Sequence, residues 1–138
     1  MKIKEVMTPQ VDLVEPDRPI AEAARLMQQQ DIGGMPVGDG DRLIGMVTDR
    51  DIVVRAVAEG KDPKTTPVRE AMSERLFYCF DDQEAEEVAA NMGEQQVRRL
   101  PVVDREKRLV GIVSLGDLTA GGAEKAAAAL SEITAPAH

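Results

Sequence analysis

The chain has 138 residues, 43% of them hydrophobic, which suffices for one compact domain with a sizeable core. Its 25 acidic against 17 basic residues give a net charge of −8, which repels a phosphate backbone and argues against a DNA or RNA partner. Aromatic residues make up 2% and tryptophan is absent, so the core must be aliphatic and there is no platform for stacking bases.

No run approaches the roughly 20 apolar residues that span a bilayer, and Met1-Lys2-Ile3-Lys4-Glu5 lacks the apolar stretch of a signal peptide. A soluble cytoplasmic protein with no membrane partner is expected. Cys79 is the only cysteine and sits in a strand-like run, which predicts a buried, inert thiol and forbids an internal disulfide. His138 is the only histidine, so a zinc or iron site would need scattered carboxylates, and none is expected.

From the N-terminus, Ile3-Lys4-Glu5-Val6-Met7-Thr8 leads into Val11-Asp12-Leu13-Val14, whose alternation predicts a half-buried strand. Pro16-Asp17-Arg18-Pro19 marks a turn into a helix, Asp17 or Arg18 preceding a proline suited to the first helical turn, with Ile20, Ala23, Ala24 and Met27 on its inner face. Gly33-Gly34 should end that helix, Met35-Pro36-Val37 form a short strand, and Gly38-Asp39-Gly40-Asp41 turn the chain into the buried strand Leu43-Ile44-Gly45-Met46-Val47. A further helix is predicted from about Asp49, with Ile52, Val53, Ala56 and Val57 facing inward.

The same pattern then returns. Met72 follows Met7 by 65 residues, and that register holds through Asp17/Asp82, Glu22/Glu87, Met27/Met92 and Pro36/Pro101 before slipping to 66 at Gly45/Gly111 and Thr48/Ser114. In the second copy Asp81-x-x-Glu84 has capping-box spacing, ahead of Ala85, Val88, Ala89 and Met92 on an inner helical face. The expected organisation is a first repeat over 1–58, a linker over 59–67 rich in glycine, proline and charge, a second repeat over 68–120, and an Ala-rich tail over 121–138. Two units are too few for a solenoid, so a pair packed face to face with a ligand-binding seam is the economical arrangement, of α+β class.

A duplicated β-α-β-β-α unit with Val-Met-Thr-Pro at its opening, Met-Pro-Val in its middle and Gly-Met-Val-Thr-Asp-Arg-Asp-Ile at its close resembles the CBS domain, named for cystathionine beta-synthase. The likeness covers residues 3–118, and Gln96-Val97-Arg98-Arg99-Leu100-Pro101-Val102 is similar to the small stand-alone bacterial members. The resemblance implies tandem repeats packed as a pseudo-twofold pair (a Bateman module), commonly a homodimer. It also implies clefts that take AMP, ADP, ATP, NAD(H) or S-adenosylmethionine, with no required cofactor.

Thr48 and Asp51 stand three apart at a strand-to-helix junction, as do Ser114 and Asp117. Helix-start N–H groups suit a phosphate, and a carboxylate accepts two hydrogen bonds from a ribose diol. The resemblance gives the two aspartates to the ribose and Thr48 and Ser114 to the phosphate. The alternative is that Thr48 caps its helix and Asp51 complements the helix dipole. Val14, Met35, Tyr78, Leu100 and Ile112, with Ile32, Met46 and Val97, are candidate walls for an adenine, though core packing accounts for most of them equally well. Arg50, Arg98 and Arg99 are candidate phosphate ligands against a rival role as solvated surface charges. Gly33-Gly34 stand where the second copy has Arg98-Arg99, so the two sites should differ in affinity.

Catalysis has little support. There is no internal histidine, Gly-x-Ser-x-Gly elbow or Gly-rich phosphate loop, so a sensor acting on a separate effector protein is expected rather than an enzyme. The alternative from another class is a ligand-free structural or interaction module.

Overall fold

The computed structural model describes residues 1–9, 11–74 and 77–120. Helix α1 (Ile3–Val6) is followed by β1 (Thr8–Pro9), α2 (Ile20–Gln30), β2 (Gly34–Asp39), β3 (Arg42–Thr48) and α3 (Asp49–Ile52). A π-helical turn (Val53–Val57) extends α3, and a 3-10 turn (Val68–Glu70) precedes β4 (Cys79–Phe80), α4 (Ala85–Gln95), β5 (Arg99–Val103), β6 (Leu109–Ser114) and α5 (Leu115–Ala120). The expected tail over 121–138 lies outside the described residues.

The chain forms two compact units. Residues 12–76 make one; residues 1–11 and those from 77 onward make the other. Each therefore combines the body of one sequence copy with the opening segment of the other, and matched hydrogen bonds show why. In the 12–76 unit the first helical N–H groups of α2 have no side-chain cap; Ile20 N donates instead to Thr66 O at 2.9 Å and Ala21 N to Pro63 O at 2.9 Å. In the other unit Ala85 N, at the start of α4, donates to Met1 O at 2.8 Å. The 65-residue register makes Thr66 the counterpart of Met1 and Ile20 that of Ala85. Orphan donors at a helix start need a partner, and here main-chain carbonyls of the opening segments supply it.

Strand pairing follows the same rule. In the unit containing the N-terminus, the sheet order is β1-β6-β5-β4, with β1 antiparallel to β6 and β4 parallel to β5. In the 12–76 unit, β2 and β3 form the antiparallel hairpin, Val14 bridges Val37 in parallel, and Ser73 bridges Met46 in antiparallel sense. Those bridges match the β4 and β1 pairings shifted by one repeat. Glycine is required where the opening segment crosses the hairpin. A Cβ at Gly45 would lie 2.8 Å from Ser73 O, and one at Gly111 would lie 2.8 Å from Thr8 O and 2.6 Å from Met7 Sδ.

One core packs Val14, Ile20, Met27, Met35, Val37, Val47, Ile52, Val68 and Ala71; the other packs Ile3, Val88, Met92, Leu100, Val102, Val113 and Leu118. The predicted inner face of α4 is buried throughout: Ala85, Val88, Ala89 and Met92.

Several sequence expectations are corrected. Val11–Val14 is not a strand, because only Val14 finds a bridge partner. Pro19 holds the cap position of α2 rather than a place in its first turn, Asp17 accepts from Arg69, and Arg18 pairs with Glu22 at 2.5 Å. Ala24 is exposed, since α2 buries a narrower stripe of Ile20, Ala23 and Met27. The helix ends at Asp31 in left-handed conformation (φ 53°), matched by Gln96 (φ 55°), so Gly33-Gly34 lie beyond the cap. Asp81 does not cap α4, whose cap position is Glu84 with no side-chain cap bond. Val53 and Val57 face outward, 56% and 58% exposed, because the π-helical winding after Ile52 turns Ile52 and Ala56 inward instead.

Candidate functional site

Each unit carries one polar constellation at the end of its hairpin. Strand β3 runs out at Thr48, whose extended backbone (φ −115°, ψ 163°) breaks into α3. Thr48 Oγ1 accepts from Asp51 N at 3.0 Å, and Asp51 Oδ2 accepts from Thr48 N at 3.0 Å. In the other unit Ser114 Oγ accepts from Asp117 N at 3.1 Å, and Asp117 Oδ2 accepts from Ser114 N at 2.9 Å. Both dyads are closed capping boxes, half-buried, and in each the carboxylate uses Oδ2 while Oδ1 takes no part in the exchange.

The arginines differ between the units as their sequences imply. Arg99 is the ladder partner of Ser114, and Arg98 O accepts from Leu115 N at 3.1 Å, so both flank the Ser114–Asp117 dyad with exposed side chains. At the equivalent places Gly34 is the ladder partner of Thr48 and Gly33 O accepts from Asp49 N at 2.9 Å, leaving no side chain there. Arg50 is exposed, and its amide donates to Asp49 Oδ1 at 2.7 Å.

The predicted adenine walls divide. Val14, Met35 and Leu100 are 3%, 1% and 2% exposed and belong to the two cores, so packing accounts for their side chains. Ile112, in β6 opposite Pro101, is half-buried, as are Ile32, Met46 and Val97. Tyr78 is half-buried too, its ring edge-on to Phe80 at 5.6 Å between centroids, with Lys107 Nζ 5.3 Å above it. That ring is already in a local cluster, which Arg105 extends by lying over Phe80 at 4.1 Å and pairing with Asp82.

Two features escape the sequence reading. Arg55, four residues after Asp51, donates through Nη1 to Met72 O at 3.0 Å and places Nε 3.9 Å from Asp51 Oδ1. The i,i+4 spacing of opposite charges is the signal for it. An open groove of about 360 Å³ in the 12–76 unit is lined by Leu13, Val14, Glu15, Arg18, Glu22 and Leu26, and of the predicted site residues it includes only Val14. The hydrogen-bonded Arg18 guanidinium holds the Glu22 carboxyl below the usual carboxylate range.

Burial pushes the Cys79 thiol up to about 12, consistent with a protonated, packed side chain 3% exposed. Among the described residues no three His, Cys, Asp or Glu side chains are grouped to hold a metal ion, and no helix is long and apolar enough to cross a membrane.

The family model of the CBS domain matches residues 3–57 and again 68–122. The chain belongs to the CBS domain family. Its CBS repeats are 44% identical over 134 residues to the CBS domain-containing protein YhcV of Bacillus subtilis, covering 96% of this chain and 94% of that one. They are 40% identical over 116 residues to hypoxic response protein 1 of Mycobacterium tuberculosis, covering 83% and 80%. Among solved structures, Hypoxic Response Protein I with two coordinated zinc ions superposes with a TM-score of 0.77 at 38% identity, covering 88% of this chain and 98% of that one. CBSX2 in complex with AMP gives 0.75 at 27% identity (88% and 95%). The CBS domain pair of MJ0100 with 5′-methylthioadenosine and S-adenosyl-L-methionine gives 0.73 at 27% identity (88% and 97%).

Proposed function

We propose that this CBS protein is a regulatory binding module for an adenosine-containing ligand of the AMP, ATP, NAD(H) or S-adenosylmethionine type. Asp51 and Asp117 receive ribose hydroxyls, and Thr48, Ser114 and their helix starts face the phosphate or its equivalent. Arg98 and Arg99 add positive charge at the Ser114–Asp117 dyad, with Arg50 at the other. The ligand's differential affinity for two conformations biases one of them, and the change is read by a separate effector or by the protein's own dimer. No reaction is assigned to the chain.

One observation carries this reading. The two dyads share the same hydrogen bonds, and each leaves carboxylate Oδ1 outside its box on a half-buried side chain. Solved relatives with adenosine ligands give the reading its ligand class. A second reading also has an observation in its favour: the closed boxes are what a pure helix start requires, which suits a ligand-free interaction module.

Thermal shift separates the two. A ligand at 100 times its dissociation constant adds about 2.7 kcal/mol to the folded state, so at least one of AMP, ATP, NADH and S-adenosylmethionine should raise the melting temperature. If none does so at millimolar concentration, the interaction module stands in its place.

A further inference from the structure

We infer that Arg55 is the second arm of the sugar grip at Asp51, donating to the same ribose hydroxyl that Asp51 accepts from; this rests on the adenosine reading above. Asp51 Oδ2 is committed to Thr48 N, so Oδ1 is the oxygen that meets a ligand. Arg55 Nε stands 3.9 Å from that oxygen, too far for a direct hydrogen bond. It is, however, a fitting separation for one shared atom. An oxygen about 2.8 Å from each sits at the apex of a near-right angle, within reach of both.

The chemistry of the pair selects what that atom is. It must donate to a carboxylate and accept from a guanidinium, which a hydroxyl or a water does and an ammonium or an ionised phosphate oxygen does not, and on the adenosine reading the ribose supplies that hydroxyl. Arg55 is held ready for this role from outside its own helix, because Nη1 donates to Met72 O at 3.0 Å. The π-helical turn Val53–Val57 that carries it is a winding found frequently at functional sites. Asp51 has 19% of its side chain exposed and Arg55 50%, so the gap between them opens to a ligand.

The sequence of the second copy carries no arginine at the matching position. In the 66-residue register that pairs Asp51 with Asp117, Gly121 stands where Arg55 does. The Asp51 site should therefore depend on the sugar's hydroxyls more steeply than the Asp117 site does.

The test is titration calorimetry of the full chain and of Arg55→Ala with AMP, 2′-deoxy-AMP and 3′-deoxy-AMP. Losing a charge-assisted hydrogen bond corresponds to about a tenfold weaker dissociation constant for AMP. The deoxy form that lacks the shared hydroxyl should bind both proteins equally. Arg55→Gln, whose amide nitrogen stands at the place of Arg55 Nε but whose side chain is too short to reach Met72 O, should recover part of the AMP affinity that Arg55→Ala loses, and melting curves confirm that both variants fold. Equal weakening of all three nucleotides, or no weakening of any, overturns the role of Arg55 while leaving the adenosine reading intact. A wild-type chain that binds none of the three overturns both.

Discussion

Single residues carry the repeat's chemistry. Thr48 with Asp51 and Ser114 with Asp117 were legible because a hydroxyl and a carboxylate three apart at a strand end can close on each other's backbone amides. Gly45 and Gly111 were legible as a copied pair, but their reason was not, since a Cβ there is blocked by Ser73 O and Thr8 O, which come from segments far away in sequence. The i,i+4 spacing of Arg55 from Asp51 is legible in the sequence, but its anchor, Met72 O, is a main-chain atom that no side-chain pattern reveals. Cys79 gives a prediction at this scale. Its thiol is raised from 9.0 to about 12 by burial, so the folded state keeps the proton longer than the unfolded chain does. That stabilisation is complete below pH about 9 and is lost as pH rises from there toward 12. Ellman's reagent at pH 8 should leave the native thiol untouched and label it fully in guanidinium. Fast native labelling would contradict the burial.

At the level of elements, periodicity located helices and strands well and their ends poorly. The inner face of α4 followed from apolar spacing, but β3, expected to be buried along its whole apolar run, buries only Leu43, Gly45 and Val47 and leaves Ile44 and Met46 half-buried. The starts of α2 and α4 did not follow. Their N–H donors are met by carbonyls of Thr66, Pro63 and Met1, so side-chain capping rules had nothing to detect. The helix after Thr48 was read with α-helical spacing, which turned Val53 and Val57 inward; its π-helical turn leaves them out. Ile52→Ala should therefore cost about 2 kcal/mol or more, by removing a buried side chain from the core of residues 12–76. Val53→Ser and Val57→Ser should each stay within about 0.5 kcal/mol in urea unfolding. Comparable losses at 52 and 53 would restore a regular α-helix with both residues inside.

Across the whole molecule, duplication was plain in the sequence, but the exchange of opening segments was not. Repeat boundaries follow the copied pattern, as the family match over 3–57 and 68–122 does, while compactness follows packing. A fragment of residues 1–58 lacks Val68 and Ala71 from its core and the Thr66 and Pro63 carbonyls from α2. A fragment of residues 12–76 has all of them. The longer-reaching fragment should show helical circular dichroism and a cooperative melt, and 1–58 should show neither; the reverse order would contradict the contact-based division. The charge of −8 places the remaining weight on local cations, Arg50, Arg55, Arg98 and Arg99, if an anionic ligand is to bind at all.

The most direct measurement is calorimetric titration of AMP into the wild-type chain and into Asp51→Ala/Asp117→Ala, at a temperature low enough that losing the carboxylate half of both capping boxes leaves the variant folded. Saturable heat from the wild type and none from the folded double variant is the predicted result. Binding that survives the loss of both carboxylates would contradict it.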